Sequence, residues 1–149
     1  IFWVTLTEWN NWKGKGYFDH AGLINNPKND GQSHRKLSYY IFRKISDKLE
    51  GSDWNNIQII QESDGIYIYK FIKNGKPLWV AWNDKKEKRE IVISGISSSE
   101  VKVTEAVPKY ASGKDVTDYD TAFNTYIQVP KDGKVTITLG DVPVFVEEK

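Results

Sequence analysis

The period of hydrophobicity changes once along this chain, at Gly51, and that change restricts the fold more than any other feature. Before it, Leu37, Tyr40, Ile41, Ile45 and Leu49 recur at spacings of three and four, which is one face of a helix. Ser33 is placed to cap that helix at its start, and Gly51 supplies a left-handed stop, so the pattern predicts a helix over 33–49. After Gly51 the period is two. Strands are predicted over 56–61, 66–72, 78–82, 90–94, 101–107, 126–129, 134–139 and 142–146, separated by Asp64-Gly65, Asn74-Gly75, Asp132-Gly133 and Gly140-Asp141. The firmest hairpin signal is Asn74-Gly75, flanked by YIYKFIK and PLWVAW. Pro77, Pro130 and Pro143 fall at or near strand ends, where a missing N–H is tolerated. About eight short strands with tight turns and no helix between them imply a mainly β chain, folded as an antiparallel β-sandwich.

The first fifty residues do not belong to such a sandwich. Ile1 to Trp9, IFWVTLTEW, is apolar and then alternating, a buried strand whose polar end is its carboxyl end. A Gly/Asn/Asp-rich stretch of no sustained period follows, from Asn10 to Gln32, and its Trp12, Tyr17 and Phe18 argue against disorder. A strand, a long loop and a helix cannot close a fold alone, and a buried strand of this kind calls for parallel neighbours. The chain therefore divides into a β-loop-α unit over 1–51 and a sandwich over 52–149. It also opens inside a hydrophobic run and contains no Met, so the expectation is a fragment of a longer polypeptide.

Composition excludes several classes. Lys and Arg number 21 against 20 Asp and Glu, a net charge of +1, so no global field points to nucleic acid or to an anionic membrane. The densest basic run, Lys85 to Arg89, contains Glu87 and reads as a hairpin loop. No apolar run approaches the length of a transmembrane helix. Cysteine is absent, which removes disulfides and thiolate metal sites, and His20 and His34 are too few for a histidine-rich centre. Asp115, Asp118 and Asp120 alternate but lack the glycine and distal Glu of an EF-hand, and Gly14, Gly16 and Gly22 form no phosphate-binding fingerprint. Neither a cofactor nor a metal is expected. Lys and Glu without Cys are compatible with a heat-adapted source.

Six Trp and eight Tyr are many for this length, and such rings serve either a core or a surface that stacks on flat ligands. Trp3 is expected to pack. Trp79 and Trp82 are read as one face of a strand turned to the core, Trp54 as packing where helix meets sandwich, and His34 as solvated. Polar and aromatic residues cluster at the carboxyl end of the first strand. There Glu8, Trp9, Asn11, Trp12 and His20 bring hydrogen-bonding groups and flat rings together as a candidate binding site.

The order of these segments resembles the C-terminal region of clan A glycoside hydrolases, with β-xylosidase- and endoglucanase-like families nearest. IFWVTLTEW and FDHAGLI are similar to the last strand of a (β/α)₈ barrel and its substrate-side loop, and GQSHRKLSYYIFRKISDKLEG to the last barrel helix. YKFIKNGKPLWVAWND, VKVTEAVP and ITLGDVPVFVE are similar to the sandwich that follows such barrels. The resemblance covers nearly the whole chain. It implies a site at the carboxyl end of the first strand, since (β/α)₈ enzymes act at that face, with Glu8, Trp9, Asn11, Trp12 and His20 as the sugar ligands: the carboxylate for hydroxyls, the indoles for a pyranose C–H face. It also implies that the catalytic carboxylates, carried by the fourth and seventh strands of the family, lie outside this sequence. Hydrolysis needs two carboxylates about 5 Å apart or more. Glu8 is one, so no catalytic residue is assigned and the chain alone is expected to be inactive.

The implied function is the C-terminal part of a secreted, extracellular glycoside hydrolase. Its partners are carbohydrate and the rest of the barrel, with neither nucleic acid nor membrane among them. Self-association through the first strand is expected where barrel partners are missing. The alternative is a free-standing carbohydrate-binding or adhesion sandwich without catalysis.

Overall fold

A computed structural model of the chain describes residues 6–8 and 21–149. The expectations for Trp3, Trp9, Asn11, Trp12 and His20 lie outside those residues. Two compact units are present: Ile1–Lys44 with Pro108–Ala122, and Ile45–Val107 with Phe123–Lys149.

The second unit is an antiparallel sandwich. Its strands are β1 (Gln58–Ser63), β2 (Ile66–Lys73), β3 (Lys76–Asn83), β4 (Arg89–Ser94), β5 (Val101–Pro108), β6 (Phe123–Gln128), β7 (Lys134–Leu139) and β8 (Val144–Glu148). Six form a sheet in the order β1-β2-β3-β8-β5-β6, and β4 pairs with β7 in a second sheet. Asp64, Asn74 and Asp132 have positive φ and each precedes a glycine of positive φ, so the three predicted X-Gly turns are formed. Asn74-Gly75 sets a full register from Ile66 opposite Asn83 to Lys73 opposite Lys76. This is the type I′ geometry whose twist matches that of paired strands.

Alternation puts a dry core between the sheets. Ile66, Ile68, Trp79, Ala81, Val101, Val103, Val144 and Val146 face Ile91, Ile93, Val135, Ile137 and Leu139. Trp79 is 1% exposed and is the largest fully buried side chain among the described residues. Trp82 does not join it. Residues 79 and 82 are three apart, and a period of two sends them to opposite faces, so Trp82 lies on the outer face, half-buried. On that outer face Phe71, Leu78, Ala106 and Phe145 form a second cluster. Ile45 and Leu49, the end of the helical stripe, pack against it. Trp54 is 60% exposed and meets Phe71 edge to face at 5.8 Å, so it does not fill a joint as expected.

The first unit contains a short helix, α1 (Pro27–Asp30), and most of α2 (Leu37–Leu49). Asn26 caps α1 by accepting from the Lys28 N–H. The α2 helix starts four residues later than Ser33. Residues before it are extended, because Arg35 bridges Ile24 in antiparallel fashion and Lys36 N–H donates to Leu23 O at 2.9 Å. Backbone pairing at 35–36 outcompetes the serine cap.

Candidate functional site

Three extended segments lie side by side in the first unit. Ile24 N–H donates to Leu6 O at 2.9 Å and Glu8 N–H donates to Ile24 O at 2.8 Å, a parallel bridge between Thr7 and Ile24. On its other side, Ile24 bridges Arg35. Residues 6–8 therefore meet the segment around Ile24 through one isolated parallel bridge. Gly22 makes that approach possible: a Cβ there would lie 2.4 Å from Glu8 N and 2.7 Å from Thr7 C, so no side chain fits.

Polar side chains fasten this arrangement. Asn25 is 4% exposed; its amide nitrogen donates to Gln32 O and its amide oxygen accepts the His34 N–H. Asn26 donates from Nδ2 to Glu8 O at 3.1 Å. His34, expected to be solvated, is half-buried and its backbone is held by Asn25 on both sides.

Glu8 is the one proposed sugar ligand among the described residues, and it is buried at 8% exposure. Its Oε1 accepts from Lys36 Nζ at 2.6 Å. Burial of a carboxylate requires a compensating charge or hydrogen bonds, and Lys36, with a quarter of its side chain exposed, provides one. Sequence reading missed Lys36. Nothing in its local pattern marks it, since the ion pair spans 28 residues and exists only because segments 6–8 and 34–36 both flank Ile24. Lys36 also lines an open cleft of about 450 Å³ with His34, Leu37, Ser38, Ala111, Ser112 and Gly113. Glu8 itself does not line that cleft; a carboxylate and an ammonium can accept from and donate to sugar hydroxyls, but one carboxylate cannot act as both proton donor and nucleophile.

Asp118, in the acidic stretch read as a solvated loop, accepts from Thr121 Oγ1 at 2.8 Å and from Asp120 N–H at 3.1 Å. These bonds hold its carboxyl below the usual range. Among the described residues no group of three or more His, Asp or Glu is placed to hold a metal ion, and no helix is long and apolar enough to cross a membrane.

No protein-family profile and no curated protein matches the chain. Solved structures do. The catalytic domain of xylanase C, a family 30 glycoside hydrolase from Talaromyces cellulolyticus, is similar at a TM-score of 0.58 and 18% identity, over 87% of this chain and 27% of that one. A thermostable family 51 α-L-arabinofuranosidase from Thermotoga petrophila RKU-1 is similar at 0.58 and 12% identity, over 88% and 32%. A family 30 subfamily 8 xylanase from Clostridium acetobutylicum is similar at 0.57 and 16% identity, over 88% and 32%. The shared fold is the sandwich preceded by a β-loop-α unit, as in clan A glycoside hydrolases. The chain spans about a third or less of the length of these structures.

Proposed function

We propose that this chain is the C-terminal part of a secreted glycoside hydrolase acting on polysaccharide or oligosaccharide. In this reading residues 1–51 close the catalytic barrel and supply part of its sugar-binding wall, and the sandwich over 52–149 is a structural accessory. The observation that carries the reading is the fold likeness over seven-eighths of this chain to about a third of three hydrolases. Glu8, Trp9, Asn11, Trp12 and His20 are the proposed sugar ligands. Glu8 accepts sugar hydroxyls, with Lys36 holding its carboxylate in place.

The chain alone should not hydrolyse aryl glycosides or xylan, because it offers one strand-end carboxylate where the chemistry needs two. Turnover by pure protein that disappears in Glu8→Gln would overturn the reading and make Glu8 a nucleophile.

A further inference from the structure

The hairpin between β2 and β3 turns through Lys73-Asn74-Gly75-Lys76, and Asn74, Gly75 and Lys76 are exposed. Asn74 has a φ of 49° and Gly75 a φ of 79°. Among the described residues, neither the Asn74 carboxamide nor the Gly75 N–H has a hydrogen-bond partner. The space beside the Gly75 Cα is open, with nothing within 4 Å of where a Cβ would stand. Lys73 sits directly opposite Lys76 as the closing pair of the hairpin. Like charges in that position destabilise a pair, so the tip is where this hairpin opens most readily. The other asparagines lack this combination. Asn25 and Asn83 are buried and bonded through both ends of the amide. Asn56 and Asn124 donate to Asp53 and Glu105, and Asn26 precedes Pro27, which has no N–H.

We propose that Asn74 is a site of spontaneous deamidation, which converts it to aspartate and isoaspartate. The Gly75 backbone nitrogen gives up its proton and attacks Asn74 Cγ. A C–N bond forms, the side-chain amide leaves as ammonia, and a cyclic succinimide remains. Water then opens either carbonyl of that ring. Ammonia leaves and water enters, with no change of oxidation state. Glycine presents no side chain to hinder the ring closure. Negative charge builds on the attacking nitrogen and on the amide oxygen, and the flanking Lys73 and Lys76 favour it. Closure requires the tip to leave its type I′ conformation, and opening at the like-charged pair supplies that motion.

The modification bears on the end of α2. Asn74 N–H donates to Gly51 O at 3.2 Å, Ser52 bridges Lys73, and Asp53 N–H donates to Ile72 O at 2.8 Å. The Asn74 carboxamide lies over Gly51, where a Cβ would meet its Oδ1 at 2.7 Å. Isoaspartate adds a methylene to the main chain, so the turn loses its two-residue length and its bond to Gly51. The segment 51–53 then loosens from β2. This chemistry is independent of the hydrolase reading.

Peptide mapping by mass spectrometry of the full chain, aged for days at mildly alkaline and at mildly acidic pH, tests it. Amide-to-acid conversion is expected to concentrate at Asn74 and to run faster at the alkaline pH, with isoaspartate detected there by isoaspartyl methyltransferase labelling. Lys76→Gln should slow the conversion about two- to fivefold. Hydrogen exchange at the Asp53 amide should be faster in the isoaspartyl form than in Asn74→Asp, with thermal melts confirming that both variants fold. No conversion at Asn74, conversion seen only in urea, or an equal rate at Asn56 and Asn124 would each overturn the proposal. So would an unchanged rate in Lys76→Gln, or exchange at Asp53 that isoaspartate leaves unaltered.

Discussion

The sandwich and the strand-loop-helix unit are each held by a different kind of force. In the sandwich, β-branched and aromatic side chains from two sheets meet in an apolar core that includes Trp79, and the buried polar side chains of Ser52, Asn83 and Thr104 are not part of that cluster. In the other unit the three segments around Ile24 are fastened by backbone bridges, by Asn25 and Asn26, and by the buried Glu8–Lys36 pair. The first kind of cohesion is non-directional and scales with apolar area. The second depends on the placement of a few atoms, and a buried polar group that loses its partner is costly. A sandwich built this way tolerates drift at its surface, whereas a polar network fails when one member is removed.

Substitution in the core should have the largest effect. Trp79→Ala should cost about 3–5 kcal/mol, read as a drop in the chemical-denaturation midpoint, and hydrogen exchange should rise across β2, β3 and β8 together. If protection were lost from Trp79's own strand alone, the sandwich would not be a single cooperative core.

A smaller, more local effect is expected from the ion pair. Lys36→Ala should cost about 1–3 kcal/mol, below the fully buried case because Lys36 keeps contact with water. Exchange should increase at the Ile24 and Lys36 amides and stay unchanged in β5 and β8. A double-mutant cycle with Glu8→Gln should return a coupling term; strict additivity would mean that the pair contributes nothing to that unit.

The smallest effect lies on the surface of the sandwich. Lys85 and Arg89 hold the Asp64 carboxyl down to about 2 from its usual 3.8. A depressed carboxyl contributes stability that is present above 3.8 and lost as pH falls through about 2. Because Asp64 is exposed, that contribution is slight. The melting temperature of the parent should fall slightly more steeply than that of Asp64→Asn over this window, and converge with it at the acid end. Parallel acid limbs would show that the contacts to Asp64 add nothing.

The same contrast explains what could be read from residues alone. Strand existence and turn positions were legible because alternation and X-Gly dipeptides are local signals, and the three turns at Asp64, Asn74 and Asp132 carry them. Trp82 faces away from the core because residues 79 and 82 are three apart and a period of two cannot put them on one face. The late start of α2 and the half-buried His34 were not legible: both follow from backbone pairing of 34–36 with 23–25, which no local period records. Lys36 was invisible for the same reason. Among the proposed ligands only Glu8 lies within the described residues, where it is buried and paired with Lys36.

The most direct test of the central claim is to sequence the coding region upstream of the Ile1 codon and assay the protein it encodes beside the 149-residue chain. The account predicts an upstream (β/α)₈ barrel with two strand-end carboxylates, hydrolysis of aryl glycosides by the longer protein, and none by the chain alone. An upstream region without such a barrel, or turnover by the 149-residue chain itself, would contradict it.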